Sequence, residues 1–313
     1  MCVKIAVFPK CFEYDIGLHH TMSVFDWIAT ARAELPVEGL EMYDRFLTRL
    51  DRDYIGQVAE AVHEAGFVVP MLICSPDFTH PNPDERKRAL EYEAQMIEIA
   101  SRLGGEGVVC RILSGQRHPG VGREQGVEWV VDSIRSLLPI ARAHGVILGM
   151  ENHYKDSQWQ YPEFALKQEI FLEIVGAIDE RECFGVQYDP SNALVADDDP
   201  IALLQAVRDR VVSMHASDRY FRDGKRPARL EQAEASMGYA PYLVHGVIGR
   251  GLNDYERIFQ ILAEARFRGW ISIEDGLNGM EEMRASIRFL EDLRRRYFPQ
   301  AAAGSELGKE SHS

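Results

Sequence analysis

The chain has 313 residues, of which 46% are hydrophobic and 27% charged, and its formal charge is −14 with a sequence pI of about 5.2. That balance suits a globular chain with a sizeable core. It argues against broad electrostatic attraction to nucleic acid or to an anionic membrane surface, because neither polyanion is drawn to a strongly acidic protein. The five cysteines, at 2, 11, 74, 110 and 183, form no C-x-x-C pair, so reduced thiols in a cytoplasmic protein are expected. No window reaches the roughly 18 apolar residues of a membrane span. Pro9 and Lys10 interrupt the N-terminal apolar run too early for a signal peptide.

In chain order, eight apolar runs alternate with helical patterns. The runs are VKIAVF (3–8), GLEMYD (39–44), FVVPMLIC (67–74), GVVCRIL (107–113), VILGME (146–151), FGVQYD (184–189), RVVSMHASD (210–218) and GWISIED (269–275). Several are continuous and rich in Val and Ile, as strands buried on both faces of a parallel sheet are. Between them, residues 82–105 read as a helix with Asn82 as cap, Pro83 at the first helical position and Gly104 as stop. A second helix over 124–145 ends on Gly145, with Pro139 expected to kink or break it. A third starts from Asp254 and is expected to stop at Gly269.

Eight strands alternating with helices predict an α/β fold, a (β/α)8 TIM barrel. A doubly wound open sheet is the alternative, weakened because no G-x-G-x-x-G follows an early strand. One barrel domain is expected over 1–298, with the small, polar residues 299–313 as a flexible C-terminal tail. The segment after the seventh strand, 219–253, is long for a connection. Its Tyr220, Phe221, Tyr239 and Tyr242 predict a packed lid.

In a TIM barrel the C-terminal ends of the strands form the active-site mouth. Glu151, Asp189, His215 and Glu274 each interrupt an apolar run at the end of the fifth to eighth candidate strands. Carboxylates gathered in one mouth repel one another, and a divalent cation resolves the conflict while using the imidazole lone pair. Three carboxylates and one histidine favour a hard or borderline ion, Mn2+ first, with Mg2+, Co2+ or Zn2+ as alternatives. Further candidates surround the quartet. His153 reads as a proton donor or hydroxyl binder, with a structural loop histidine as the alternative. Arg111 reads as a contact to an anionic or polyhydroxy substrate, or as one half of a buried ion pair. Asn192, Asp218 and His245 are substrate-binding candidates, and His19 and His20 candidate lining of the mouth. Tyr154 and Trp159 offer an apolar wall for a sugar face.

Glu, Asp, His and Glu on strands five to eight, with MEN, YDPSN, MHASD, GVIGRGLNDYERI and SIED at the matching places, resemble the metal quartet of the xylose isomerase-like TIM barrels. That group includes sugar-phosphate isomerase/epimerase proteins, ketose 3-epimerases, hydroxypyruvate isomerase, inosose dehydratase and endonuclease IV. The resemblance spans about 1–298 and implies a metal-dependent sugar isomerase or epimerase. It assigns Glu151 and Glu274 a double role, as ligands and as the acid/base pair. A lyase on the same scaffold is the alternative: dehydration of a keto-inositol, or β-elimination from a 3-keto glycoside, C-glycoside cleavage included. A non-catalytic sugar-binding or sensor barrel is the third reading. The group also implies a homo-oligomer, and a partner subunit stays open. The chain departs from endonuclease IV, with Asn192 where the nuclease has His and Leu243 where it has Asp. Its third and fourth strands end in ICSPD and CRILSG without histidine ligands. The expected partner is a small sugar or keto-sugar, not nucleic acid.

Overall fold

The computed structural model describes residues 3–228 and 236–299. The expected tail lies outside the described residues beyond Pro299. Nine strand segments form one parallel sheet: β1 (Lys4–Val7), β2 (Gly39–Leu40), β3 (Met42–Tyr43), β4 (Met71–Ile73), β5 (Val109–Ile112), β6 (Ile147–Glu151), β7 (Phe184–Tyr188), β8 (Val211–Ala216) and, last in the chain, β11 (Trp270–Ile273). Their order is β2-β1-β11-β8-β7-β6-β5-β4-β3. The segments β2 and β3 are the two halves of one barrel strand interrupted at Glu41, and β2 also bridges to Val68. Leu40 N donates to Val68 O at 2.9 Å and Glu41 N to Val7 O at 3.0 Å, so this strand joins both ends of the sheet. A sheet in which the first strand pairs with the last is a barrel, and the open doubly wound alternative falls away.

All eight predicted strands are present, shortened at their ends. The third begins at Met71 because Pro70 has no N–H to give a ladder, although its carbonyl still accepts from Val109 N at 3.0 Å. The first helix prediction holds over α4 (Pro83–Gly104), capped by the Asn82 side chain. Its stop moves one residue: Gly105 is the cap, at a φ of 75° that favours glycine. The helix α5 (Arg123–His144) runs unbroken through Pro139. Pro139 sits on the exposed face, where water can satisfy the carbonyl it leaves unpaired. The helix Tyr255–Glu264, capped by Asp254, ends five residues before Gly269, with Arg266 in the left-handed conformation. Gly269 serves packing instead, since a Cβ there would stand 2.2 Å from Val212 O.

The barrel interior and the helix-facing sides of its strands form one apolar core, from Val3 to Leu293. After β8 the chain turns into β9 (Arg219–Phe221), which pairs antiparallel with β10 (Leu243–His245). Tyr239 and Leu243 pack on Val195, with Tyr154, Phe221 and Tyr242 around them, so the expected lid is a packed ribbon over the mouth. Residues 229–235, within the predicted lid segment, lie outside the described residues. Among the described residues no helix is long and apolar enough to cross a membrane.

Candidate active site

Four strand ends set the centre of the mouth. Glu151 is the last residue of β6, Asp189 follows β7, His215 is the fifth residue of β8 and Glu274 follows β11. Those four strands are consecutive around the barrel, so four side chains far apart in sequence are brought together. Their ligand atoms all lie within 4.8 Å of one another. His215 Nδ1 stands 3.2 Å from Glu151 Oε1 and 3.2 Å from Glu274 Oε2, while its Nε2 stands 2.8 Å from Glu41 Oε2.

Charge in this mouth is tightly balanced. Burial lowers the basicity of His215, but Glu41, Glu274 and Glu151 hold it well above the ordinary imidazole range. Burial works against ionisation of Glu274, yet Lys10 and His215 hold its carboxyl well below the carboxylate range. Lys10 Nζ lies 3.1 Å from Glu274 Oε1. Glu151 is likewise held low against burial, by Arg111 and His215. Asp189 goes the other way: burial, Glu274 and Glu151 push it up to about 7. Among the described residues, the His215 imidazole is the basic group in direct contact with both glutamates, and a dication held by its neutral ring would be matched to their charge. The donor set of three carboxylates and one imidazole fits a hard or borderline metal ion. Glu41 gives a second sign of fit. It holds the far nitrogen of the ring, as carboxylates beside metal-binding histidines do, and its Oε1 has no partner.

The remaining predicted residues divide. His153 lines the cavity with its Nδ1 3.4 Å from the buried Glu163 Oε2, and its ring stacks on Tyr154 and meets the edge of Trp159. Arg111 lines the cavity too, but its donors are spent on Glu151 at 2.8 Å, Ser75 Oγ at 2.8 Å and Cys74 O at 3.1 Å. Of its two readings, the structure favours the buried ion pair. Asn192 donates to Glu151 Oε1 at 3.2 Å and also faces the cavity. His245 lines it from β10, with Nδ1 3.3 Å from Asp275 Oδ1. Asp218, a candidate for orienting an imidazole or binding a hydroxyl, is held by backbone. Its carboxylate accepts from the backbone amides of Arg219, Gly249, Gly251 and Asn253 at 2.8–3.1 Å, and so anchors the end of the lid. His19 and His20 are exposed and lie outside the cavity lining, because the short helix Glu13–Gly17 turns them away. Trp159 meets the edge of His153 and donates its amide to Asp156 O at 3.1 Å without lining the cavity itself, while Tyr154 lines it directly.

Sequence reasoning missed Glu41, Lys10, Asp156, Glu163 and Arg219. Glu41 carried the same signal as the quartet, an acid interrupting the apolar run GLEMYD. Asp156 bonds Tyr43 Oη, Ser75 Oγ and Arg45 Nη2 at 2.7–3.1 Å on the cavity wall. A second group with metal-ligand spacing, Cys74, Glu93 and Cys110, lies behind the sheet under α4. Both thiols stand 3.4 Å from Glu93 Oε1 in a hydrogen-bonded network, and burial pushes the Glu93 carboxyl up to about 8.

The family model described as xylose isomerase-like TIM barrel matches residues 29–293. The chain belongs to that family. Among solved structures it resembles a D-tagatose 3-epimerase-like protein, with TM-score 0.70, 19% identity, and 96% of this chain and 100% of that one covered. It also resembles a probable 3-DHS dehydratase, AsbF, of Bacillus anthracis, with TM-score 0.68, 16% identity, and 92% and 99% covered. The zinc-bound IOLI protein superposes with TM-score 0.70 at 16% identity, with 95% and 100% covered. At these identities the likeness is one of fold. No curated protein matches the sequence.

Proposed function

We propose that this chain is a divalent-metal-dependent sugar isomerase or epimerase that moves a proton on a ketose or keto-sugar. One observation carries the reading: Glu151 and Glu274 approach His215 Nδ1 at the same 3.2 Å from strands on either side of β7 and β8. A carbonyl and its neighbouring hydroxyl held there would have a carboxylate at each flank. A cation held by Glu151, Asp189, His215 and Glu274, Mn2+ first, would supply Lewis acidity to an enediolate. Glu274, kept ionised by Lys10 and His215, would take and keep the α-proton, and Glu151 on the other flank would deliver a different proton, one it has first taken up from solvent. Return to the same carbon from the opposite side inverts the centre; return to the neighbouring carbon isomerises the sugar. Arg111 and Asn192 fix the Glu151 carboxylate through one oxygen each. His153 and His245, which line the cavity, would read substrate hydroxyls. The cavity of about 260 Å³ suits a sugar-sized ligand.

A lyase reading has one specific observation in its favour. His153, backed by Glu163, is a third proton-transfer group in a cavity where epimerisation needs two. Such a group could protonate a leaving group during dehydration or β-elimination. The printed name of one structural neighbour, a probable dehydratase, is consistent with that. A sensor barrel would need no acid/base pair.

The test is metal analysis of the purified protein, followed by incubation of ketoses with it in D2O. Deuterium at the α-carbon without net loss supports isomerase chemistry, and release of water or an aglycone supports the lyase. Glu151→Gln and Glu274→Gln should each lower exchange by about 10²–10⁴-fold. A protein that neither holds nor takes up any divalent metal would end the proposal.

A further inference from the structure

Arg219 brings into the cavity a charge that no side chain pairs with among the described residues. It opens β9, lines the cavity and is only 7% exposed, yet its side chain has no hydrogen-bond or ion-pair partner among the described residues. Its Nε is buried and unsatisfied. The acids around it are engaged elsewhere. Asp218 is spent on four backbone amides, and Asp275 on the amides of Asp218 and Gly276. Glu274 is held by Lys10 and His215. Asp189 is close enough to feel the guanidinium but makes no ion pair with it, and its Oδ1 accepts from the Ser191 and Asn192 amides and the Ser217 hydroxyl. A guanidinium does not shed its proton, so it cannot relieve its burial by becoming neutral. Left alone, it carries a large desolvation cost.

The lid ribbon places a second donor beside it. His245 lies directly across from Arg219 in the β9–β10 pairing, and cross-strand partners point to the same face. Both side chains line the cavity. With Nδ1 turned to Asp275, His245 has its Nε2 left for a ligand.

We propose that the substrate of this site bears an oxyanion, a carboxylate or a phosphate group, which Arg219 binds with His245 alongside. This rests on the sugar-isomerase reading above and narrows its substrate class. The planar fork of arginine matches the two oxygens of a carboxylate or phosphate. The quartet would hold the reacting carbons, while the lid ribbon reads the charged end. Arg219 would thus discriminate against neutral ketoses.

Titration calorimetry with inorganic phosphate and with D-glycerate tests this on the full-length protein, as purified and after metal removal, at an ionic strength fixed with chloride. At least one probe is expected to bind. Arg219→Gln should weaken it about tenfold or more, with Arg219→Lys in between. Binding of phosphate alone assigns a phosphorylated sugar, glycerate alone a sugar acid, and both a site that reads charge. Arg219→Met in chloride buffer should keep or raise the melting temperature, because it removes a buried charge that has no hydrogen bond or ion pair among the described residues. Wild-type protein that binds neither probe, or Arg219→Gln that binds as tightly as wild type, overturns the proposal. α-Proton exchange on a neutral ketose, measured on the same samples, separates the two readings. Exchange without oxyanion binding sinks only the anion subsite. Arg219-dependent oxyanion binding without metal uptake or exchange sinks only the isomerase.

Discussion

Glu41 holds His215 by Nε2 and so turns Nδ1 toward Glu151 and Glu274. A carboxylate in that place fixes the ring's orientation and raises its basicity as a ligand. Glu41→Gln keeps one acceptor but loses the charge, so Mn2+ affinity should fall about 10–100-fold, read by calorimetric titration. An unchanged affinity would reduce Glu41 to a core hydrogen-bond partner. The residue was visible in the sequence as an acid inside GLEMYD, alike in kind to Glu151 in VILGME. What could not be read was its aim. Strand two is split at this residue, and only the closed barrel brings it across to strand seven.

Two elements depend on carboxyl groups outside the chemistry. The first is α4, whose Glu93 is buried against Cys74 and Cys110, with Asp44 and Arg111 acting on it through space. Burial raises its carboxyl from an ordinary 4.5 to about 8. Between those values the folded protein holds a proton that the unfolded chain releases, so stability falls as pH rises through that window and levels off above it. Glu93→Gln removes the dependence. In urea titrations it should match wild type near pH 4.5 and exceed it near pH 8 by on the order of a few kcal/mol. The opposite slope would mean that Glu93 is ionised in the fold. The second element is the lid, whose return loop hangs on Asp218. Asp218→Ala strands several buried amides, for a loss of about 3 kcal/mol or more in denaturant unfolding, with faster amide exchange at 249–253. Gly251 belongs to the same device, since a Cβ there would stand 2.3 Å from Asp218 Oδ1.

At the scale of the whole molecule, the four strands that carry the quartet are neighbours around the barrel, so a cation there would tie one half of the sheet together. Binding to the folded state alone stabilises by about 2.7 kcal/mol at a hundredfold excess over the dissociation constant. Chelation should therefore lower the melting temperature by several degrees, and added Mn2+ should restore it. A melting curve indifferent to both would leave the quartet a polar cluster held by His215 and Lys10. The barrel was legible because buried parallel strands write continuous apolar runs, and the glycines and caps between them mark where helices stop. The misreadings share one cause. Gly104, Pro139 and Gly269 were assigned by local propensity, while neighbouring strands and solvent decided their roles.

The sequence by itself determined the alternation of strands and helices and the four polar residues ending its dry runs, because hydrophobic period and strand-end chemistry are local properties. Tertiary structure decided which polar groups are spent and which are free. Arg111 and Asp218 looked available along the chain and are engaged by Glu151 and by lid amides, while Arg219, unremarked in sequence, is left facing the cavity. Whether a charge has a partner depends on distances between residues far apart in the chain, and those exist only once the barrel has closed.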